Sequence, residues 1–271
     1  MKLTNLFLGF ILLSTLACTE QGNIKDNTTE TDSTETVSDT SFAESKKDSI
    51  HHVAYYADSV TIDGKANEEI WSKAEFYPLK YIWLGPQDIT EEDFTGKFKL
   101  AWDEEFLYVL VKVKDDSLID IYEDKFVQWW DDDCVEIFID EDDSNEEHQY
   151  DYSAFAYHVG LNYDVVDLGP DSLPHLFNNH VLTGRTYDGE WYTWECAVRV
   201  FDKSFKYDEP VSPVTLHEDK EMGFMLAYCD NDTSKTRENF IGSIYIEGED
   251  KDQGWIDSGV FGTVVLKKRE E

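Results

Sequence analysis

Lys97-Phe98-Lys99-Leu100-Ala101-Trp102-Asp103-Glu104-Glu105-Phe106-Leu107-Tyr108-Val109-Leu110-Val111-Lys112-Val113 contains two alternating runs separated by an acidic break. Phe98, Leu100 and Trp102 share one face of the first run, with Lys97, Lys99 and Ala101 opposite. Leu107, Val109, Val111 and Val113 share one face of the second. A period of two places one apolar set against a core and the other toward the opposite side, which is the signature of a strand. The same pattern recurs at Val135, Ile137 and Ile139, with Glu136 and Phe138 opposite, and at Trp194, Cys196, Val198 and Val200. Further runs lie at about 150–160, 177–187, 221–229, 239–246 and 260–267. Many short alternating strands, broken by Asp-Gly, Gly-Pro and Asn-Asp turns, predict an all-β antiparallel sandwich of two packed sheets. One short helix is expected near residues 67–74, with Asn67 as its cap and Ile70, Trp71 and Ala74 facing the core.

The first fifty residues read differently. Lys2 precedes the apolar run Leu6-Phe7-Leu8-Gly9-Phe10-Ile11-Leu12-Leu13, which is followed by Ser14-Thr15-Leu16-Ala17 and Cys18. A basic start, a brief apolar stretch and a small-residue exit describe a secretory signal at residues 1–17. The apolar run is shorter than the roughly 20 residues that span a bilayer. Cys18 after Ala17 resembles the bacterial lipobox, with Thr15 where that motif usually has Leu. The resemblance implies a lipidated Cys18 and attachment to a membrane through an N-terminal lipid. Residues 18–50 are dominated by Thr, Ser, Asp, Glu and Asn, and such a segment buries too little apolar surface to offset its ordering entropy. It reads as a disordered tether to one β domain over residues 51–271, in the cell envelope of a bacterium.

With 58 acidic against 23 basic residues, the formal net charge is −35, which argues against nucleic acid and an anionic membrane face. Cys134, Cys196 and Cys229 each sit in an apolar strand pattern and read as buried free thiols, with one disulfide among them left open. No Gly-rich phosphate loop, nucleophile elbow or H-E-x-x-H run is present. The spacing of the seven His supports neither a metal nor a nucleophile site. A glycosidase carboxylate pair cannot be selected from so many acids.

Aromatic residues make up 14% of the chain, including eight Trp. Flat rings bury the C–H faces of sugars while neighbouring polar groups satisfy the hydroxyls. Trp71, Trp102 and Trp194 lie on apolar faces and are expected in the core. Trp130, beside Asp131-Asp132-Asp133, and Trp255, after Glu249-Asp250-Lys251-Asp252-Gln253-Gly254, lie in polar loops with no core to explain them.

Four motifs in order then point to a family. Ile62-Asp63-Gly64 with Glu69-Ile70-Trp71, the run Trp102–Val109 with Val113-Lys114-Asp115, and Trp130-x-x-Asp133-x-Val135-Glu136-Ile137-Phe138-Ile139-Asp140 are the first three. Trp255, six residues before Phe261-Gly262, is the fourth. The series resembles family 9 carbohydrate-binding modules across residues 55–267. The resemblance implies a DOMON-related β-sandwich and non-catalytic capture of an oligo- or polysaccharide, in support of polysaccharide catabolism. It implies that Trp130 and Trp255 clamp a terminal sugar, that Glu136 grips its hydroxyls, and that Asp252 stands where an amide-bearing residue is usual. Two polar partners of the family depart: no arginine stands near Gln149-Tyr150-Asp151, and Ala227 replaces an expected glutamine. Calcium is common in the family, and Asp140–Glu147 is the candidate run, though no ligand can be assigned. An enzyme acting on O-glycosyl bonds is disfavoured because the strand-rich region uses up the chain. Haem binding by Met222, Met225, His148 and His158 is disfavoured because no spacing supports it.

Overall fold

The computed structural model describes residues 50–269. The signal segment, Cys18 and the tether up to residue 49 therefore lie outside the described residues. In chain order the elements are β1 (Ile50–Tyr56), α1 (Glu69–Lys73), β2 (Tyr77–Leu79), β3 (Tyr81–Leu84), β4 (Phe94–Trp102) and β5 (Leu107–Asp115). They continue with β6 (Cys134–Asp140), β7 (Ala154–Gly160), β8 (Val165–Leu168), β9 (Pro174–Leu176), β10 (Val181–Tyr187) and β11 (Tyr192–Val198). β12 (Glu221–Asp230), β13 (Asn239–Gly242), a 3-10 turn (Ser258–Val260) and β14 (Gly262–Lys267) complete the fold.

The two alternating runs first quoted form the β4–β5 hairpin, in register from Phe94 opposite Asp115 to Trp102 opposite Leu107. Asp103 closes it: its Oδ1 accepts the backbone N–H groups of Glu105 and Phe106, each at 2.8 Å, and its Oδ2 accepts the Tyr108 hydroxyl at 2.6 Å. One layer holds β10-β11-β5-β4, and the other holds β12-β6-β7-β8-β9. Their inward faces share one core, in which Phe98, Trp102, Val111 and Trp194 pack with Ile137, Tyr157, Phe224 and Leu226. A fully buried side chain of this size contributes roughly 1.5–3 kcal/mol, so this shared face dominates the fold's stability. The all-β sandwich is therefore the architecture, with one refinement. The layers are joined edge to edge through β1 and β14, and β1 runs parallel to both β14 and β4. Alternation specifies which face is buried but says nothing about a partner's direction.

Helix α1 lies within the expected 67–74 window and covers the outer face of the first layer. Ile70 and Trp71 pack there with Ala101, Tyr108, Leu110 and Ala197. Asn67 is not its cap. Glu68 occupies the cap position without a side-chain bond to the helix, because its carboxylate accepts Thr61 N–H at 3.1 Å instead. A second residue explains the first motif. Buried Glu195 of β11 accepts the N–H groups of Asp63, Gly64 and Ala66 and the indole N–H of Trp71, at 2.7–3.1 Å. Gly64 has φ +76°, and a Cβ there would stand 2.7 Å from the Arg185 carbonyl carbon, so only glycine fits the approach. The short strands β2, β3, β8 and β9, three or four residues each, were not legible as alternating runs.

Candidate functional site

The outward face of the second layer carries the chemistry. On β6, Val135, Ile137 and Ile139 enter the main core, so Cys134, Glu136 and Phe138 point the other way, as the alternation required. The same parity on β12 sends Met225, Ala227 and Cys229 outward, while β7 presents Ala154, Ala156 and His158. A second, smaller core of Trp83, Phe138, Met225 and Phe261, with Trp255 packed against it, covers part of this face. The uncovered part is the floor of a cleft of about 450 Å³, within the usual range for small-molecule sites.

All four residues singled out from the sequence line this cleft: Trp130, Trp255, Glu136 and Asp252. Trp130 stands in the β5–β6 loop, 37% exposed. Trp129 holds it edge to face, with ring centroids 4.6 Å apart and an interplanar angle of 80°. The adjacent acidic run is a staple of this loop. Asp132 accepts Ile121 and Tyr122 N–H groups at 2.8 and 3.1 Å, and Asp133 accepts those of Ile119 and Asn231. Asp131 accepts the Arg237 N–H at 3.0 Å, tying this loop to the one after β12. Trp255 is positioned by the preceding Gly254, whose carbonyl lies 2.9 Å from the His148 Nε2. A Cβ at Gly254 would come within 2.3 Å of Met225 Cε, so the loop sits directly on the smaller core.

Glu136 lies opposite His158 on β7 and Ala227 on β12. The His158 Nε2 is 3.2 Å from Glu136 Oε2, and the ring's Nδ1 faces the Ala156 carbonyl at 3.2 Å. Burial by itself would push the imidazole down, but the charge of Glu136 and its hydrogen bond raise it to about 9, so it is cationic at neutral pH. Neighbouring Asp167 is pushed up to about 7 by burial. An arginine reaches this cleft from another loop. Arg237 enters from the loop between β12 and β13, donates to Asp252 Oδ2 at 2.6 Å, and reaches the Cys229 Sγ at 3.4 Å. Its guanidinium lies 4.0 Å from the Phe240 ring centroid. Burial would raise the Cys229 thiol, yet its hydrogen bond with Cys134 and the charge of Arg237 leave it below its ordinary value. Sequence reasoning missed Trp129, Tyr150, His158, Asp167 and Arg237 at this cleft. The Trp129-Trp130 repeat in a polar loop was a usable signal; the cross-strand positions of His158 and the reach of Arg237 had none.

Other readings meet their geometry here. Met222 lies in the main core and Met225 in the smaller one, on opposite faces of β12, so they cannot ligate one iron. Cys134, Cys196 and Cys229 are buried free thiols. In the Asp140–Glu147 run, Asp140 Oδ2 accepts the Ser258 hydroxyl at 2.8 Å, and Asp143 Oδ2 accepts that of Thr263 at 2.9 Å. Asp115, Asp230 and Asp232 bring one carboxylate oxygen each within 4.8 Å of one another, an all-oxygen set of the kind calcium takes, and Asp93, Asp116 and Asp232 do the same. Burial and mutual repulsion push Asp115 up to about 6 and Asp230 up to about 8.

The model of the family described as "Carbohydrate family 9 binding domain-like" matches residues 62–269. Endo-1,4-beta-xylanase C of Paenibacillus barcinonensis is 26% identical over 220 residues, which is 81% of this chain and 18% of the xylanase. The chain thus spans less than a fifth of that relative's length. A family 9 carbohydrate-binding module from Caldicellulosiruptor kristjanssonii, solved with glucose and also with cellotriose, superposes with a TM-score of 0.58 at 22% identity. The glucose complex covers 81% of this chain and 96% of that one.

Proposed function

This chain belongs to the carbohydrate family 9 binding domain-like family, and from that premise we propose that its cleft holds a sugar between Trp130 and Trp255 without cutting it. The observation that carries the reading is convergence: residues from the β5–β6 loop, β6 and the loop before the 3-10 turn line one cleft, with three indoles, Trp129, Trp130 and Trp255, among them. Indole faces take the C–H surface of a pyranose, while Glu136 and Asp252 accept hydroxyl protons. Arg237 stands in for the absent arginine, while both ring nitrogens of His158 are taken by Glu136 and the Ala156 carbonyl. Arg237 and His158 are cations already paired with carboxylates, so a hydroxyl enters a network whose charges are satisfied. The ligand of the structural neighbours, glucose or cellotriose, gives the class to test first.

The chain serves in this reading as a lipoprotein, anchored by Cys18 in the cell envelope, that captures polysaccharide for catabolism. Affinity is modest, because sugar hydroxyls surrender good hydrogen bonds to water. Isothermal titration against xylan, cellulose and their oligosaccharides tests the binding. A panel without heat change, or binding that survives both Trp130→Ala and Trp255→Ala, sinks the clamp. Sustained release of reducing ends by the purified chain would make it an enzyme instead.

A further inference from the structure

Beneath the tryptophans, Glu136, His158 and Cys229 bring a carboxylate, an imidazole and a thiol together from three neighbouring strands. We propose that these three side chains form a binding site for a zinc-class divalent cation at the floor of the cleft. One ligand atom from each lies within 4.8 Å of the others, and all three residues are buried. The individual edges suit coordination. Glu136 Oε2 is 3.2 Å from His158 Nε2 and 3.9 Å from Cys229 Sγ. Around a tetrahedral zinc with bond lengths of roughly 2.0–2.3 Å, an oxygen lies about 3.4 Å from a nitrogen and about 3.6 Å from a sulfur.

The imidazole is already oriented as a ligand. Its Nδ1 faces the Ala156 carbonyl, the outer bond that commonly fixes a metal-bound histidine, and Nε2, 3.2 Å from Glu136 Oε2, would coordinate by giving up its proton as the cation enters between them. The mixed N, O and S donor set selects a borderline-soft cation rather than calcium, which takes oxygen-only sets. Arg237 also approaches Cys229, but Asp252 balances its charge at 2.6 Å. A thiolate and a carboxylate then neutralise the dication. Three protein ligands leave a fourth position for water or a sugar hydroxyl.

This site does not depend on the sugar reading, and its test contains no sugar. The full chain, stripped with a chelator and dialysed, is titrated with cobalt(II) chloride and then zinc(II) chloride. The expected result is one cation per chain and a thiolate-to-cobalt charge-transfer band in the near ultraviolet. Cys18→Ser and Cys134→Ser retain that band, whereas Cys229→Ser abolishes it. Loss of a direct ligand should weaken zinc binding by more than about 100-fold, since outer partners alone are worth 10- to 100-fold. His158→Gln provides an independent arm should Cys229→Ser lose its near-ultraviolet dichroism and fail to fold. No band, a band that survives Cys229→Ser, or zinc affinity unchanged by His158→Gln overturns the assignment.

Discussion

Glu136 on β6 and His158 on β7 are direct cross-strand partners, and their side chains meet at 3.2 Å on a face from which water is nearly excluded. Removing one member of a buried pair strands the other charge, at a cost of roughly 3–5 kcal/mol. Glu136→Ala should therefore lower unfolding stability by about 3 kcal/mol, measured by urea denaturation. Glu136→Gln with His158→Gln replaces both charges and should recover much of that loss. If the double variant is as unstable as the single, the pair is not what holds this face together.

The clamp and the core use the same residue type for different ends. Trp130 is 37% exposed, so Trp130→Ala should leave the unfolding midpoint nearly unchanged while weakening sugar binding. A tenfold loss corresponds to about 1.4 kcal/mol, the scale of one aromatic contact. Trp102 is 1% exposed in the main core, and Trp102→Ala should cost about 3–5 kcal/mol of stability. Calorimetric titration beside denaturant melts separates the two. Equal losses of stability would mean that Trp130 is a structural side chain.

His52 gives the fold an acid limit. It is 3% exposed among Tyr77, Phe98 and Phe224, and its Nδ1 has no hydrogen-bond partner. Burial and then the neighbouring His51 lower it to about 3. Burial, helped by Arg199, does the same to His180. An unfolded histidine takes up its proton near pH 6.5, but these two must stay neutral to remain packed. Their contribution is fully present above pH 6.5 and is lost as pH falls toward 3, at about 1.4 kcal/mol per pH unit for each. His52→Phe removes one proton from that slope and an unsatisfied buried nitrogen worth about 1–3 kcal/mol. The variant should be more stable than the parent, with the gap widening between pH 6 and 4. A parallel pair of stability–pH curves would refute this.

Much of this was legible because alternation reports burial directly. Phe98, Leu100, Trp102, Ile137 and Trp194 lie where period two placed them, and Glu136 faces away from that core for the same reason. Trp130 and Trp255 stood out as large indoles in polar loops, and both line the cleft, although Trp255 also packs against the smaller core. What stayed hidden depends on strand neighbours and loop reach. His158 becomes the partner of Glu136 only through the β6–β7 register, and Arg237 acts about a hundred residues from the loop it joins. Asn67 failed as a cap because a competing acceptor, Glu68, turned to Thr61 and fixed a different entry.

Glu195 shows how a motif can look functional and be a scaffold. Its four accepted hydrogen bonds hold the Asp63–Ala66 turn and Trp71 against β11, far from the indole cleft in the chain. Glu195→Ala should cost at least about 3 kcal/mol, because buried donors left unpaired cost roughly 1–3 kcal/mol each. Sugar affinity of the folded fraction should be unchanged. A selective loss of affinity would place this turn in the binding machinery.

Arg237 offers the sharpest separation of charge from geometry. Its fork spans Asp252 and Cys229, and its backbone N–H is held by Asp131, so one residue links both tryptophan-bearing loops. Lysine keeps the charge but cannot reach two partners in one plane. Arg237→Lys should therefore retain the fold while lowering sugar affinity about tenfold, the value of roughly 1.4 kcal/mol of hydrogen bonding to a charged group. Arg237→Met also leaves Asp252 without its cation, against burial that already pushes that carboxyl up. Its affinity should fall further, and adding Asp252→Asn should restore stability but not binding. Should Arg237→Lys bind sugar as the parent does, the guanidinium would be a loop strut only, and the indoles with their carboxylate acceptors would hold the ligand.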